Sequence, residues 1–322
     1  MLAQEAEQTP SPWDFSGVVG LNASATGLVN WTAGGNNNVN GVAFGKVRLL
    51  YNENNLSWET NLNLEYGLSY IDQKNDPFQK SSDVIDFSTK FGWQVHKAWY
   101  LPAAAGFKSQ MAFGRVYDGT EAADPIISKF LSPSYTDISV GIDWKPNDIF
   151  SIYLSPVAGK ITTAYVGDAL EKANPGLREK MQGNYATCTY SKEANADGKY
   201  DKIYTNAKAE LGLSLKGGIN YTYKDLKIIT TVGLFTPYAW DKTEMKNADG
   251  LFIGYRDNNR RFGNFDVDWD AAISYQFLKC LNVTLSTSLK YYNGVKIADK
   301  EGHAAERVQF KGILGLGIGY SF

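Results

Sequence analysis

No stretch of this chain approaches the roughly 20 consecutive apolar residues that carry a helix across a bilayer, although 43% of its 322 residues are hydrophobic. That excludes a helical membrane protein and leaves open one that crosses with strands. Histidine and cysteine are scarce, with two of each. At these spacings they cannot build a stable metal cluster, and no cofactor is expected. An excess of one charge is also lacking. The 32 basic and 34 acidic side chains leave a net charge of −2, so no broad basic surface for nucleic acid is expected. The start, MLAQEAEQTPSPW, has neither the basic nor the apolar segment of a secretory signal. Residues 1–12 are read as a short extension left after signal cleavage, and residues 13–322 as one barrel domain.

What the chain does have is period-two alternation. From Ser57 to Tyr70, Trp58, Leu62, Leu64, Tyr66 and Leu68 share one parity, while Glu59, Asn61, Asn63 and Glu65 share the other. The same pattern recurs over 209–224 and 281–291. Twelve such segments are expected, at 13–27, 39–52, 56–71, 83–96, 99–117, 134–145, 149–161, 206–224, 226–240, 260–277, 280–294 and 306–322. Each exceeds the about 5–6 residues of an ordinary strand and meets the about 9–11 needed to cross hydrocarbon at a tilt. The competing reading is a soluble all-β protein with buried aromatics.

Tight connections at 52–55, 96–98, 146–148, 224–225 and 278–279 alternate with longer ones at 28–38, 72–82, 118–133, 162–205, 241–259 and 295–305. Short periplasmic turns and long extracellular loops are the pattern of an outer-membrane barrel. The expected fold is therefore all-β: a closed antiparallel transmembrane β-barrel of about 12 strands. An even strand number puts both termini on the periplasmic side, and pairing the first strand with the last removes the open edge. Trp58, Trp93, Trp144, Tyr153, Tyr291, Tyr320 and Phe322 are expected as girdle residues. Cys188 and Cys280 then fall at opposite ends, beyond disulfide reach, and two free thiols are expected.

The segment Leu28–Gly41, LVNWTAGGNNNVNG, contains a Trp-x-x-Gly-Gly-x-Asn pattern after the first strand. Together with the aromatic C-terminal strand, it resembles a family of Bacteroidota outer-membrane β-barrels that carries only a domain-of-unknown-function label. The resemblance runs over most of the chain, and Asn30, Trp31, Gly34, Gly35 and Asn37 carry it. It implies a Gram-negative outer-membrane location and this fold, and no reaction. Read from the residues alone, the loop is a turn with positive φ angles at its glycines, or a docking loop.

Asp266, Asp268 and Asp270 share one face of FDVDWD, about 7 Å apart, and that face is expected to line the lumen. Two readings stand: a cation site with oxygen ligands, or a charge network with Arg256, Arg260, Arg261, Lys46, Lys216 and Lys290. The network is favoured. Glu59, Glu65, Lys46, Arg48, Asp86, Lys90, Asp137, Asp143 and Glu210 also fall on lumen positions, so no strong ion selectivity is expected. His96 sits at a turn, and His303 lies in a loop without a Gly-x-Ser-x-Gly partner motif; no catalytic residue is expected. The 162–205 loop should form short helical turns that cap the lumen, enter it or meet a partner.

The last strand places Leu316, Ile318, Tyr320 and Phe322 toward lipid. An amphipathic strand of this kind resembles a C-terminal targeting signal for the barrel-insertion machinery. Gly315, Gly317 and Gly319 strip side chains from the opposite, lumen wall. The functional expectation is a non-enzymatic accessory or structural subunit of an outer-membrane assembly, in contact with outer-membrane lipids and possible protein or lipoprotein partners. A small-solute channel or binding barrel is the alternative, and a barrel hydrolase a weak third.

Overall fold

The computed structural model describes residues 11–26, 38–71, 77–115, 126–179, 182, 188–196, 198–247, 249–278, 281–298 and 304–321. Twelve strands follow one another round a closed barrel. They are β1 (Trp13–Thr26), β2 (Asn38–Glu53), β3 (Leu56–Ile71), β4 (Phe78–His96), β5 (Trp99–Ser109), β6 (Ser134–Trp144), β7 (Phe150–Thr163), β8 (Ala207–Tyr223), β9 (Leu226–Pro237), β10 (Asp266–Leu278), β11 (Leu281–Tyr291) and β12 (Gln309–Ser321). Every neighbouring pair is antiparallel, and β1 pairs with β12 from Val18↔Ser321 to Ala23↔Leu316. Those six pairs close the sheet on itself.

The alternation fixes the two faces. Val19 and Leu21 of β1 point outward beside Tyr320 and Ile318 of β12, with Phe15 and Leu316 on the same face, and all are exposed. Trp13 meets Tyr51 and Trp58 near one rim, where Trp99 also meets Trp144. Tyr70–Phe78 and Tyr238–Phe262 sit at the other rim. Aromatic pairs therefore band both ends of an apolar outer wall. Tyr153 is a correction to the expected girdle. It faces inward, pairs in register with Asp143 and Lys216, and is buried. Phe322 lies outside the described residues.

One end carries tight turns. Two residues link β2 to β3, β4 to β5 and β8 to β9, with Asn54, Lys97 and Lys224 each at positive φ. In the β6–β7 turn the Asn147 side chain accepts from the backbone N–H groups of Ile149 and Phe150, which stands in for a backbone turn. The long connections all lie at the other end. They carry small hairpins: Cys188–Tyr190 with Lys202–Tyr204, and Asp241–Lys246 with Phe252–Arg260. The segment expected as one strand over 260–277 thus splits. Residues 252–260 belong to a loop hairpin, and Asn264 turns the chain back by accepting no ladder place while its backbone N–H bonds Arg261. Likewise β5 ends at Ser109 instead of 117, and β4 starts at Phe78 instead of 83.

Within the 162–205 loop, α1 (Asp168–Ala173) is a short helix, and residues 177–179 are helical again after the turn at 174–176. Val166 and Leu177 are buried against Leu170 and Ile126. Gln182 donates to the carbonyls of Ala164 and Thr205, tying the two roots of the loop together. One interruption of the ladder lies in the wall where Pro102 of β5 and Pro156 of β7 lack an N–H to donate. Gly141 lies between them at a register shift. A Cβ there would stand 2.1 Å from the Leu154 carbonyl oxygen.

Candidate functional site

The register puts every expected lumen charge on the inner face: Arg48 opposite Asn61, Glu59 opposite Lys90, Asp86 opposite Lys108, and Asp137 opposite Lys160. These charges sort into three levels.

At the loop end a dry cluster forms. Arg260, from the 252–260 hairpin strand, reaches into the barrel mouth and is only 4% exposed. Its Nε and Nη2 donate to Glu210 at 2.8 and 2.9 Å, and its Nη1 to Asp266 at 2.6 Å. Asp266 also accepts from Lys160 at 2.8 Å and from the Asn293 backbone at 3.0 Å. Lys160 lies over the rings of Phe235 and Tyr292. Alongside, Lys208 bridges Asp241 at 2.6 Å. Burial lowers the pKa of Arg260, but Asp266 and Glu210 outweigh it and hold the value above the ordinary one. Tyr292, buried and donating to Asp268, has its pKa pushed far up and stays a neutral donor.

At mid-height the pairs are looser and wetter. Lys216 meets Asp137 at 3.4 Å with the two side chains 50% and 42% exposed. Lys290 meets Asp268 at 3.5 Å, and Lys108 meets Asp86 at 3.1 Å with the lysine 52% exposed. Lys108 also lies within electrostatic reach of Asp270 and Asp268, five strands away round the wall.

At the turn end, buried Asp143 takes Lys90 at 2.5 Å and Lys145 at 3.5 Å. Lys90 reaches from β4 to β6 past Ala104, whose small side chain stands between them in the ladder. Lys90 also covers the Tyr153 ring, and Tyr153 donates to Ser139. Arg48 joins Glu59 at 2.8 Å and Asp14 at 3.6 Å.

The acidic ladder is therefore three separate positions. Asp266 belongs to the dry mouth, Asp268 to the wet pair with Lys290, and Asp270 is exposed. Of the three expected arginines only Arg260 reaches it. Arg256 stacks on Tyr190, and Arg261 pairs with Asp257. Lys46 lies nearest the Phe44 ring, and Lys216 engages Asp137. Lys160 went unnoticed in the sequence, although its parity, shared with Tyr153's lumen row through the β7 shift, places it opposite Asp137 and Glu210. Among the described residues no three His, Cys, Asp or Glu side chains form a group able to hold a metal ion.

The glycine wall also needs correcting. A Cβ on Gly315 would meet nothing within 4 Å, but one on Gly317 would stand 2.3 Å from Asn22 Oδ1 and 2.9 Å from Asn282 Oδ1. Neighbouring side chains fill the second gap. Leu316, Ile318 and Tyr320 face outward as expected. Asn30, Trp31, Gly34, Gly35, Asn37, Cys280 and His303 lie outside the described residues. His96 closes β4 at the turn end.

Residues 23–114 match the model of a family described as "Protein of unknown function (DUF3078)". The match runs from the end of β1 through β5, a narrower span than expected. No curated protein sequence matches the chain. Among solved structures, an outer membrane channel from Pseudomonas putida F1 aligns with a TM-score of 0.39 at 9% identity, covering 100% of this chain and 98% of that one. The translocator domain of autotransporter NalP from Neisseria meningitidis gives 0.37 at 9%, covering 98% and 90%. The NanC porin gives 0.35 at 7%, covering 94% and 97%. Likeness this loose carries no argument about what the barrel does.

Proposed function

We propose that the chain spans a Gram-negative outer membrane and that its hydrated, mixed-charge lumen passes or holds small hydrophilic solutes. The observation that carries this is the half-exposure of Lys108, Asp137, Lys216 and Asp268 on the inner wall of a closed barrel. A lumen filled by its own side chains would have covered them, as eight strands can. The outer wall, apolar and banded by aromatics at both rims, suits lipid. In this reading the tight turns and both termini face the periplasm. Leu316, Ile318, Tyr320 and Phe322 form the signal read by the insertion machinery, and the Bacteroidota origin implied by the loop resemblance belongs to the same proposal. The role is non-enzymatic.

Planar-bilayer recording of the purified barrel tests it. Sustained openings with weak ion selectivity are expected, because both signs line the wall. A silent barrel that leaves its own membrane with a stoichiometric protein or lipoprotein partner overturns it. That outcome favours the second reading, an accessory subunit, for which the hairpin 241–260 is the supporting observation. Its outer face exposes Trp240, Tyr255 and Phe252, and its tip exposes Leu251 and Ile253, an apolar surface of the kind that marks protein contacts.

A further inference from the structure

The mid-height belt narrows the solute class, on the footing of the conduit reading above. We propose that the belt of Asp86, Lys108, Asp137, Lys216, Asp268 and Lys290 favours zwitterionic solutes, those bearing an ammonium and a carboxylate, over uncharged solutes of like size. The belt alternates in sign round the wall, with Lys108 and Asp86 on β5 and β4, Asp137 on β6, Lys216 on β8, and Asp268 and Lys290 on β10 and β11. Its three ion pairs sit at 3.1–3.5 Å with both partners reached by water. Pairs so exposed are weakly held and open at little cost.

A zwitterion can replace both partners at once. Its ammonium takes the carboxylate of Asp137, or of Asp268 beside the Tyr292 hydroxyl already bound there, and its carboxylate takes the ammonium of Lys216 or Lys108. Neither wall charge is then stranded. A simple cation or anion satisfies one partner and releases the other, so it gains less from the same wall. An uncharged polyol competes with water for both and gains least. The dry mouth cluster cannot serve this role, because its donors and acceptors are consumed among Arg260, Glu210, Asp266 and Lys160.

Proteoliposome swelling at pH 7 tests the proposal with glycylglycine as zwitterion and erythritol as uncharged solute, each corrected for barrel-free liposomes. Glycylglycine is expected to enter on the order of fivefold faster, the ratio one partly screened charge contact gives. In a variant combining Asp137→Asn, Lys216→Gln, Asp268→Asn and Lys290→Gln the two rates should converge. Equal rates in the unmodified barrel overturn the zwitterion preference and leave the conduit standing. Swelling by neither solute overturns the conduit itself. The comparison within the unmodified barrel decides the matter even where the fourfold variant does not assemble.

Discussion

The barrel mouth and the mid-lumen use the same residue types to opposite effect. At the mouth, Arg260 and Asp266 are nearly sealed from water, and every contact is at hydrogen-bond length. At mid-height, Lys216 and Asp137 stand 3.4 Å apart in solvent. Taking charges out of water is costly, so the buried set holds only while each member keeps its counter-charge. The exposed set is screened and loses little when a partner goes. Ion pairs of one composition thus brace the mouth and leave mid-lumen free to exchange partners. Burial decides which, through the hairpin that carries Arg260 inward.

Arg260→Ala breaks this contrast most strongly. It takes the guanidinium from two buried carboxylates, leaving Glu210 with Lys208 at 3.7 Å and Asp266 with Lys160 and the Asn293 N–H, and a loss of about 3 kcal/mol is expected. Urea unfolding in detergent and hydrogen exchange at the loop end of β8 should both report it, and single-channel conductance should rise as the mouth opens. A loss no larger than that of Lys216→Ala would erase the distinction between the levels. Next in size is Gly141→Ala, between the two wall prolines. The Leu154 carbonyl stands where the new methyl would go, and forcing the strands apart should cost about 1–3 kcal/mol. Unfolding of this variant alongside Gly315→Ala, whose Cβ meets open space, gives the control; equal stabilities would contradict the close approach.

Most of the barrel was legible from alternation alone, because a half-apolar strand cannot slip by one residue without inverting both faces. Each of the twelve barrel strands overlaps a segment that parity places, with β4, β5 and β10 differing by five or more residues at one end. Errors fell where parity carries no signal. Tyr153 suits a girdle by type and position near a strand end, yet its register with Asp143 sends it inward. The strand expected from residue 260 begins only at Asp266, because Arg260 ends the loop hairpin and the turn through Gly263 and Asn264 separates it from β10. Arg256, Arg260 and Arg261 were indistinguishable in sequence, since which one enters the mouth depends on how the hairpin folds back. Gly317 reads as bare wall until Asn22 and Asn282, distant in sequence, are brought beside it.

A smaller effect comes from Lys216→Gln. The pair with Asp137 is exposed, so stability should change by about 0–1 kcal/mol. The free carboxylate nevertheless remains in the lumen. The reversal potential across a salt gradient, near zero in the unmodified barrel, should move toward cation preference. No movement would mean that mid-lumen charge does not see the permeating ion.

The smallest expected effect lies outside the wall, at Asp257 on the exposed face of the 241–260 hairpin. The Trp240 indole N–H and then the Asn259 backbone N–H bond its carboxylate and hold its pKa below the ordinary carboxylate value. A depressed carboxylate stabilises the folded hairpin at pH above its unfolded pKa. That contribution is lost as pH falls through the lower folded value. Tryptophan emission of the native protein and of Asp257→Asn should therefore differ at pH 6 and converge in acid, once the pH has passed below the depressed folded value. A difference that persists in acid would detach the Trp240 contact from the ionisation of Asp257. Because this carboxylate is open to solvent, the same titration leaves the unfolding midpoint of the barrel almost unmoved, whereas Glu210→Gln at the buried mouth should lower it.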